Sequence, residues 1–129
     1  MITSFMRLDV PESPQSSISK GWGFENIYQT GPYIIKTLNY NDNCFSSGHL
    51  HTKKDETFIV LSGCFELIRK TENGEEYSTM LWPNDMIFIP SNSYHQINAL
   101  MCGTILEVST DCVDDETIIV RLGMTQLNS

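Results

Sequence analysis

Gly48-His49-Leu50-His51, followed by Glu56 and Gly63, is the stretch on which the reading of this chain turns. It is strand-like, and a strand sends alternate side chains to the same face, so His49 and His51 look together to one side and Leu50 to the other. After a short polar link, Thr52 to Asp55, Glu56 heads a second run, Glu56-Thr57-Phe58-Ile59-Val60-Leu61, in which Phe58 and Val60 share its face. A carboxylate on an apolar face points inward, where without a partner it would be expensive. Two imidazoles and a carboxylate therefore converge inside a small β-structure, and the trio reads as divalent-metal ligands. Imidazole nitrogen suits Mn, Fe, Co, Ni, Cu and Zn, and one added carboxylate leaves the set mixed.

Working outward, residues 1 to 20 are mixed and polar, and Pro11-Glu12-Ser13-Pro14-Gln15-Ser16-Ser17 breaks any helix or strand period. They are expected to form an extended N-terminal arm, with the domain spanning 21–129. Gly21-Trp22-Gly23-Phe24 suggests a tight bend that lays Trp22 on the core. Strands are expected over Phe24 to Gln29 and Tyr33 to Tyr40, the latter rich in β-branched and aromatic residues. Beyond Gly63, Cys64 to Lys70 and Glu76 to Trp82 flank Asn73-Gly74, the sequence of a type I′ hairpin turn. Met86 to Pro90, Tyr94 to Ala99, Gly103 to Thr110 and Glu116 to Leu122 complete the strands, the last two parted by the acidic link Asp111 to Asp115. No stretch keeps a 3.6-residue apolar period, so the fold class is all-β, a barrel or sandwich of short strands.

The 129 residues suit one domain with a core of its own. Eight Lys plus Arg against sixteen Asp plus Glu give a formal net charge of -8, the wrong sign for a footprint on nucleic acid or an anionic membrane. A small-molecule substrate fits better. No apolar run approaches the roughly 20 residues of a membrane span, and the start lacks a basic segment followed by an apolar one. A soluble, cytoplasmic protein is the expectation. Cys44, Cys64, Cys102 and Cys112 lack Cys-x-x-Cys spacing and read as free thiols, with Cys64 close enough in sequence to the metal-bearing strands to watch.

The spacing His49-x-His51, four residues, Glu56, six residues, Gly63 resembles the first motif of the cupin superfamily. Pro83-Asn84-Asp85, Pro90 and His95 stand in the places of its second motif. The resemblance covers roughly residues 20 to 122 and implies a double-stranded β-helix, a jelly-roll barrel, with a metal held inside. The ligands it implies are His49, His51, Glu56 and His95, and the ion one of Zn, Mn, Fe, Ni or Co. Asn43, Asn84 and Asn92 replace glycines of the family pattern, and Asn is the residue that best tolerates positive φ after Gly. The closing Asn of the second motif is shifted by one place, to Asn98.

Lys20-Gly21-Trp22-Gly23, Lys36, Glu107 to Thr110 and Ile119-Val120-Arg121 look like the C-terminal cupin domain of type II mannose-6-phosphate isomerases and mannose-1-phosphate guanylyltransferases. That likeness implies a sugar phosphate or nucleotide sugar as substrate, with Lys36 or Arg121 as phosphate partners. The leading expectation is a metal-dependent sugar isomerase or epimerase. Its base is Glu107, Glu66 or a metal-bound hydroxide, since His95 is spent as a ligand. An Fe(II)-dependent dioxygenase and a non-catalytic sugar-binding module are the alternatives. With Leu50, Thr57, Ile59 and Leu61 on the outer face, one sheet is too apolar for solvent, and a homodimer burying it is expected.

Overall fold

The computed structural model describes residues 11–29 and 31–124. Nine strands form among them: β1 (Ser16–Lys20), β2 (Gly23–Gln29), β3 (Tyr33–Tyr40), β4 (Gly48–His51), β5 (Glu56–Lys70), β6 (Glu76–Leu81), β7 (Met86–Ile89), β8 (His95–Thr110) and β9 (Thr117–Arg121). All pairings are antiparallel.

The architecture follows from the two long strands, β5 and β8, which lie side by side and serve two sheets in succession. From Gly103 to Thr110, β8 pairs with β3 on one side and with the Glu56 to Ser62 half of β5 on the other. This gives the layer β1-β2-β3-β8-β5-β7. From His95 to Met101, β8 pairs instead with β4 and with the Cys64 to Arg69 half of β5. This gives the second layer, β9-β4-β8-β5-β6. Three register shifts in β5, between Val60 and Phe65, bend the pair from one layer into the other.

Glycine is required on both strands at that bend. Gly63 has φ +87°, and a Cβ on it would fall 2.8 Å from Gly103 Cα, while one on Gly103 would fall 2.3 Å from the Ser62 carbonyl oxygen. Between the layers Phe58, Val60, Phe65, Leu67, Ile89 and Ile105 are fully buried, each contributing about 1.5–3 kcal/mol. Trp22 lies on this core as expected, stacked on Tyr40 with ring centroids 4.2 Å apart. The chain is thus the all-β barrel that its patterning implies, of the jelly-roll kind that the cupin resemblance implies.

Three local readings meet the structure differently. Residues 16–20, expected within the arm, are strand β1, whose five residues pair in register with β2; the polar Ser-rich sequence suits an edge strand with exposed side chains. Residues 1–10 of the arm lie outside the described residues. The Asn73-Gly74 turn is not type I′, because only Gly74 takes positive φ (+82°). The Gly74 N–H donates to the Thr71 carbonyl and the Thr71 N–H to the Glu75 carbonyl, so a five-residue connection carries a type I turn with glycine in the left-handed position. The reading of the asparagines holds: Asn43, Asn84 and Asn92 have φ of 57°, 75° and 61°.

Candidate metal centre

His49 and His51 leave β4 on its inner side, Glu56 begins β5 and His95 begins β8, directly opposite His49 in the ladder. Alternation places Glu56 (3% exposed) with Phe58 and Val60 facing inward. One ligand atom from each of His49, His51, Glu56 and His95 lies within 4.8 Å of the others.

Each imidazole is held by its Nδ1. His49 Nδ1 lies 3.0 Å from the Ser47 carbonyl and His95 Nδ1 3.0 Å from the Ser93 carbonyl. His51 Nδ1 lies 2.9 Å from Asp115 Oδ2. A carbonyl or carboxylate oxygen only accepts, so these contacts place the ring proton on Nδ1 and leave the Nε2 lone pair turned inward. The Nε2 atoms of His51 and His95 stand 3.4 and 3.2 Å from Glu56 Oε1. Glu56 Oε1 and His95 Nε2 are both buried without a hydrogen-bond partner. Acceptors with facing lone pairs repel one another unless a cation lies between them, so the donor set fits a divalent ion. Three neutral imidazoles and one carboxylate suit a first-row transition metal. Burial, and then the neighbouring His95, lowers the His49 pKa to about 4, so that ring is neutral at neutral pH.

The cluster lies in the wall of a cavity of about 260 Å³ between the two layers. Three lysines, Lys20, Lys36 and Lys54, and three glutamates, Glu25, Glu56 and Glu107, line it. Lys36 Nζ is 3.6 Å from Glu25 Oε1. Lys54 Nζ lies 3.4 Å from Glu107 Oε2 and 3.7 Å from Glu56 Oε2. Burial, reinforced by the Glu56 carboxylate, pushes the Glu107 carboxyl up to about 7. Against the pull of burial, Glu107 and Glu56 hold the Lys54 ammonium above its usual range.

No protein-family model matches the chain, and no curated protein matches it by sequence. Solved structures do match. Bacillus subtilis oxalate decarboxylase, described with Mn(II) centres, superposes with a TM-score of 0.71 at 16% identity over 84% of this chain and 32% of its own. A cupin-superfamily sugar phosphate isomerase from Silicibacter pomeroyi gives 0.64 at 17% identity, over 74% of this chain and 64% of its own. The chain has the cupin fold. KdgF from Halomonas adds a third likeness, with a TM-score of 0.61 at 20% identity over 70% of this chain and 80% of its own. The chain spans about a third of the decarboxylase, and at these identities the likeness concerns the fold alone.

Within the cupin barrel the remaining sequence candidates divide. Lys36 and Glu107 line the cavity. Arg121 does not; its guanidinium donates to Glu76 and to Gln96 Oε1. Glu66 also lies off the cavity, accepting a 3.0 Å hydrogen bond from Asn98 Nδ2. Cys64 is buried but does not line the cavity, and all four cysteines are free thiols. Sequence reasoning missed Lys54, Glu25 and Asp115. Lys54 sits in the polar link between two ligands, and Asp115 in a link that looked merely acidic; only the meeting of these two loops reveals either. No helix among the described residues is long and apolar enough to cross a membrane.

Proposed function

We propose that this cupin is a metal-dependent enzyme that isomerises or epimerises a small sugar derivative, with a sugar phosphate as the leading substrate class. The observation that carries the reading is a four-ligand cluster sharing its cavity with a buried carboxyl, Glu107, that is not needed as a ligand. A divalent ion held by His49, His51, Glu56 and His95 would supply Lewis acidity toward carbonyl and hydroxyl oxygens of the substrate. Glu107 then takes a proton from one carbon and returns one to its neighbour, and Lys54, 3.4 Å away, steadies the carboxylate that Glu107 presents before the first transfer and regains after the second.

Charge supports an anionic substrate. The cavity sets three lysines against three glutamates, one of which, Glu107, is raised to about 7 and carries only part of its charge at neutral pH, so a divalent ion would leave an excess of at least two positive charges for a phosphate or carboxylate to meet. Besides Lys54, the cations that line the cavity are Lys20 and Lys36, the latter about four-fifths buried and paired with Glu25, whereas Arg121 lies off it. A cavity of this size takes a metabolite rather than a polymer. The Silicibacter pomeroyi relative in fold is described as a sugar phosphate isomerase, and the likeness around Lys20–Gly23 to type II mannose-6-phosphate isomerases leads to the same class.

The test is turnover of protein loaded with Zn, Mn, Fe, Ni or Co against a panel of hexose and pentose phosphates in deuterated water. Isomer formation with solvent deuterium at the carbon next to the carbonyl is the expected result. Absence of both turnover and label across the panel removes the proposal, and oxygen uptake with Fe(II) would replace it by the dioxygenase reading. As a separate proposal, a homodimer buries the outer face where Leu61, Met86 and Phe88 are each more than half exposed beside Thr57 and Ile59. Leu50 is not part of that face, since it lies on β4 in the other layer. Light scattering that gives a monomer's mass refutes it.

A further inference from the structure

Of the three histidines in the metal cluster, only His51 is held by a carboxylate. Asp115 belongs to the β8–β9 link, yet it reaches the loop between β4 and β5 and spends both oxygens there. Its Oδ1 accepts the backbone N–H groups of Lys53 and Lys54, each at 2.8 Å. Its Oδ2 accepts the His51 Nδ1 proton at 2.9 Å. Thr52 and Glu116 tie the same two loops together, through Thr52 N–H to the Glu116 carbonyl (3.0 Å) and Glu116 N–H to Thr52 Oγ1 (2.9 Å). The Thr117 hydroxyl, 3.2 Å from His51 Nδ1, can turn either a proton or a lone pair toward the ring and therefore chooses neither tautomer.

We propose that Asp115 is the positioning residue of this site: it sets the tautomer of His51 so that Nε2 offers its lone pair to the metal, and it fixes the backbone from which Lys54 reaches Glu56 and Glu107. The inference rests on the metal-binding reading and deepens it, because it assigns the residue on which one ligand's competence depends.

The argument is one of donors and acceptors. An acceptor is needed on both faces of the Asp115 side chain, and a carboxylate supplies two. An asparagine supplies one acceptor and one donor. Two backbone N–H groups outbid one imidazole for the amide oxygen, so in Asp115→Asn the amide NH2 faces His51 Nδ1. A donor there requires the Nδ1 lone pair, which moves the ring proton to Nε2, where it blocks coordination. The loop keeps its bonds to Lys53 and Lys54, so the barrel itself is little disturbed. His49 and His95, held by the Ser47 and Ser93 carbonyls, keep their tautomers.

The experiment compares wild-type protein, Asp115→Asn and Asp114→Asn. Asp114 is the exposed neighbour on the same link, 3.2 Å from the Lys53 ammonium, and it controls for loss of one negative charge. Long-range proton–nitrogen NMR of metal-free protein reads each ring's tautomer, and competition with a chelator reads Zn(II) affinity. The expected result is His51 protonated at Nδ1 in wild type and Asp114→Asn, but at Nε2 in Asp115→Asn. Zn(II) affinity should fall about 10- to 100-fold in that variant alone, with thermal midpoints of the metal-free proteins within a few degrees of one another. Wild-type protein that binds no metal removes the metal-binding reading itself. Wild-type binding with an unchanged His51 tautomer or unchanged affinity in Asp115→Asn overturns the positioning role alone. If Asp115→Asn fails to fold, Asp115→Glu serves: binding that recovers with a longer carboxylate in a folded protein supports the role, and binding that stays lost overturns it.

Discussion

Gly48 precedes the ligand His49, Tyr94 precedes the ligand His95, and the two residues pack against each other, which makes Gly48→Ala a sharp probe of how the ligand strands are held. Gly48 does not need positive φ, so alanine strains no backbone there. It clashes instead: the new Cβ would lie 2.1 Å from Tyr94 Oη, 2.7 Å from Cζ and 2.9 Å from Cε1. Overpacking of a filled interior costs about 1–3 kcal/mol, and displacing the ring also weakens the contact of Lys70, whose Nζ sits 4.4 Å from the ring centroid. We expect Gly48→Ala to cost about 2–3 kcal/mol, a fall of roughly ten degrees in thermal midpoint for a chain of this size. Tyr94→Phe removes a buried hydroxyl that has no hydrogen-bond partner, so it should be neutral or stabilising by up to about 1 kcal/mol. In the double variant the worst contact is gone and the approaches to Cζ (2.7 Å) and Cε1 (2.9 Å) are left. Its cost should be about 1 kcal/mol, a favourable coupling of about 1–2 kcal/mol. Urea denaturation of the four proteins measures this, and Zn(II) titration should show affinity falling at least about tenfold in Gly48→Ala and partly returning in the double variant. Additive stabilities, with coupling below about 0.5 kcal/mol, would refute the reasoning.

Other expectations follow from the same geometry. Metal at a hundred times its dissociation constant should stabilise the protein by about 2.7 kcal/mol, and His49→Ala should abolish that increment; an unchanged midpoint on chelation of metal-loaded wild type would contradict the cluster. Glu107→Gln should lower turnover on whichever sugar phosphate is accepted by about 10²–10⁴-fold, with metal affinity within a few-fold, and equal losses in both would make Glu107 structural. Asn84 takes φ 75° at the turn that caps Val60 through a 2.8 Å backbone bond. Asn84→Gly should therefore stay within about 0.5 kcal/mol of wild type in urea denaturation, while Asn84→Ala costs about 1–2 kcal/mol.

What could be read from the sequence and what could not separate along one line: alternation is local, and cross-strand neighbours are not. His49, His51 and Glu56 were legible because two short strands present them with period two, and Asn43, Asn84 and Asn92 because a turn's φ is a property of one residue. Glu66 shows where this fails. It lies ten residues after Glu56, an even step, and simple alternation turns both the same way. The register shifts between Val60 and Phe65 break the count, so the inward residues change from Glu56, Phe58 and Val60 to Phe65 and Leu67, and Glu66 faces Asn98 instead. Arg121 fails similarly. It shares parity with Thr117 and Ile119, which line the cavity, but the register shift between Gly48 and His49 sets it opposite Gly48, where Glu76 and Gln96 take its guanidinium. Both failures come from bulges, and the bulges are also what bend the paired strands into a barrel. The distortions that create the cavity are therefore the same ones that hide from the sequence which charged side chains enter it.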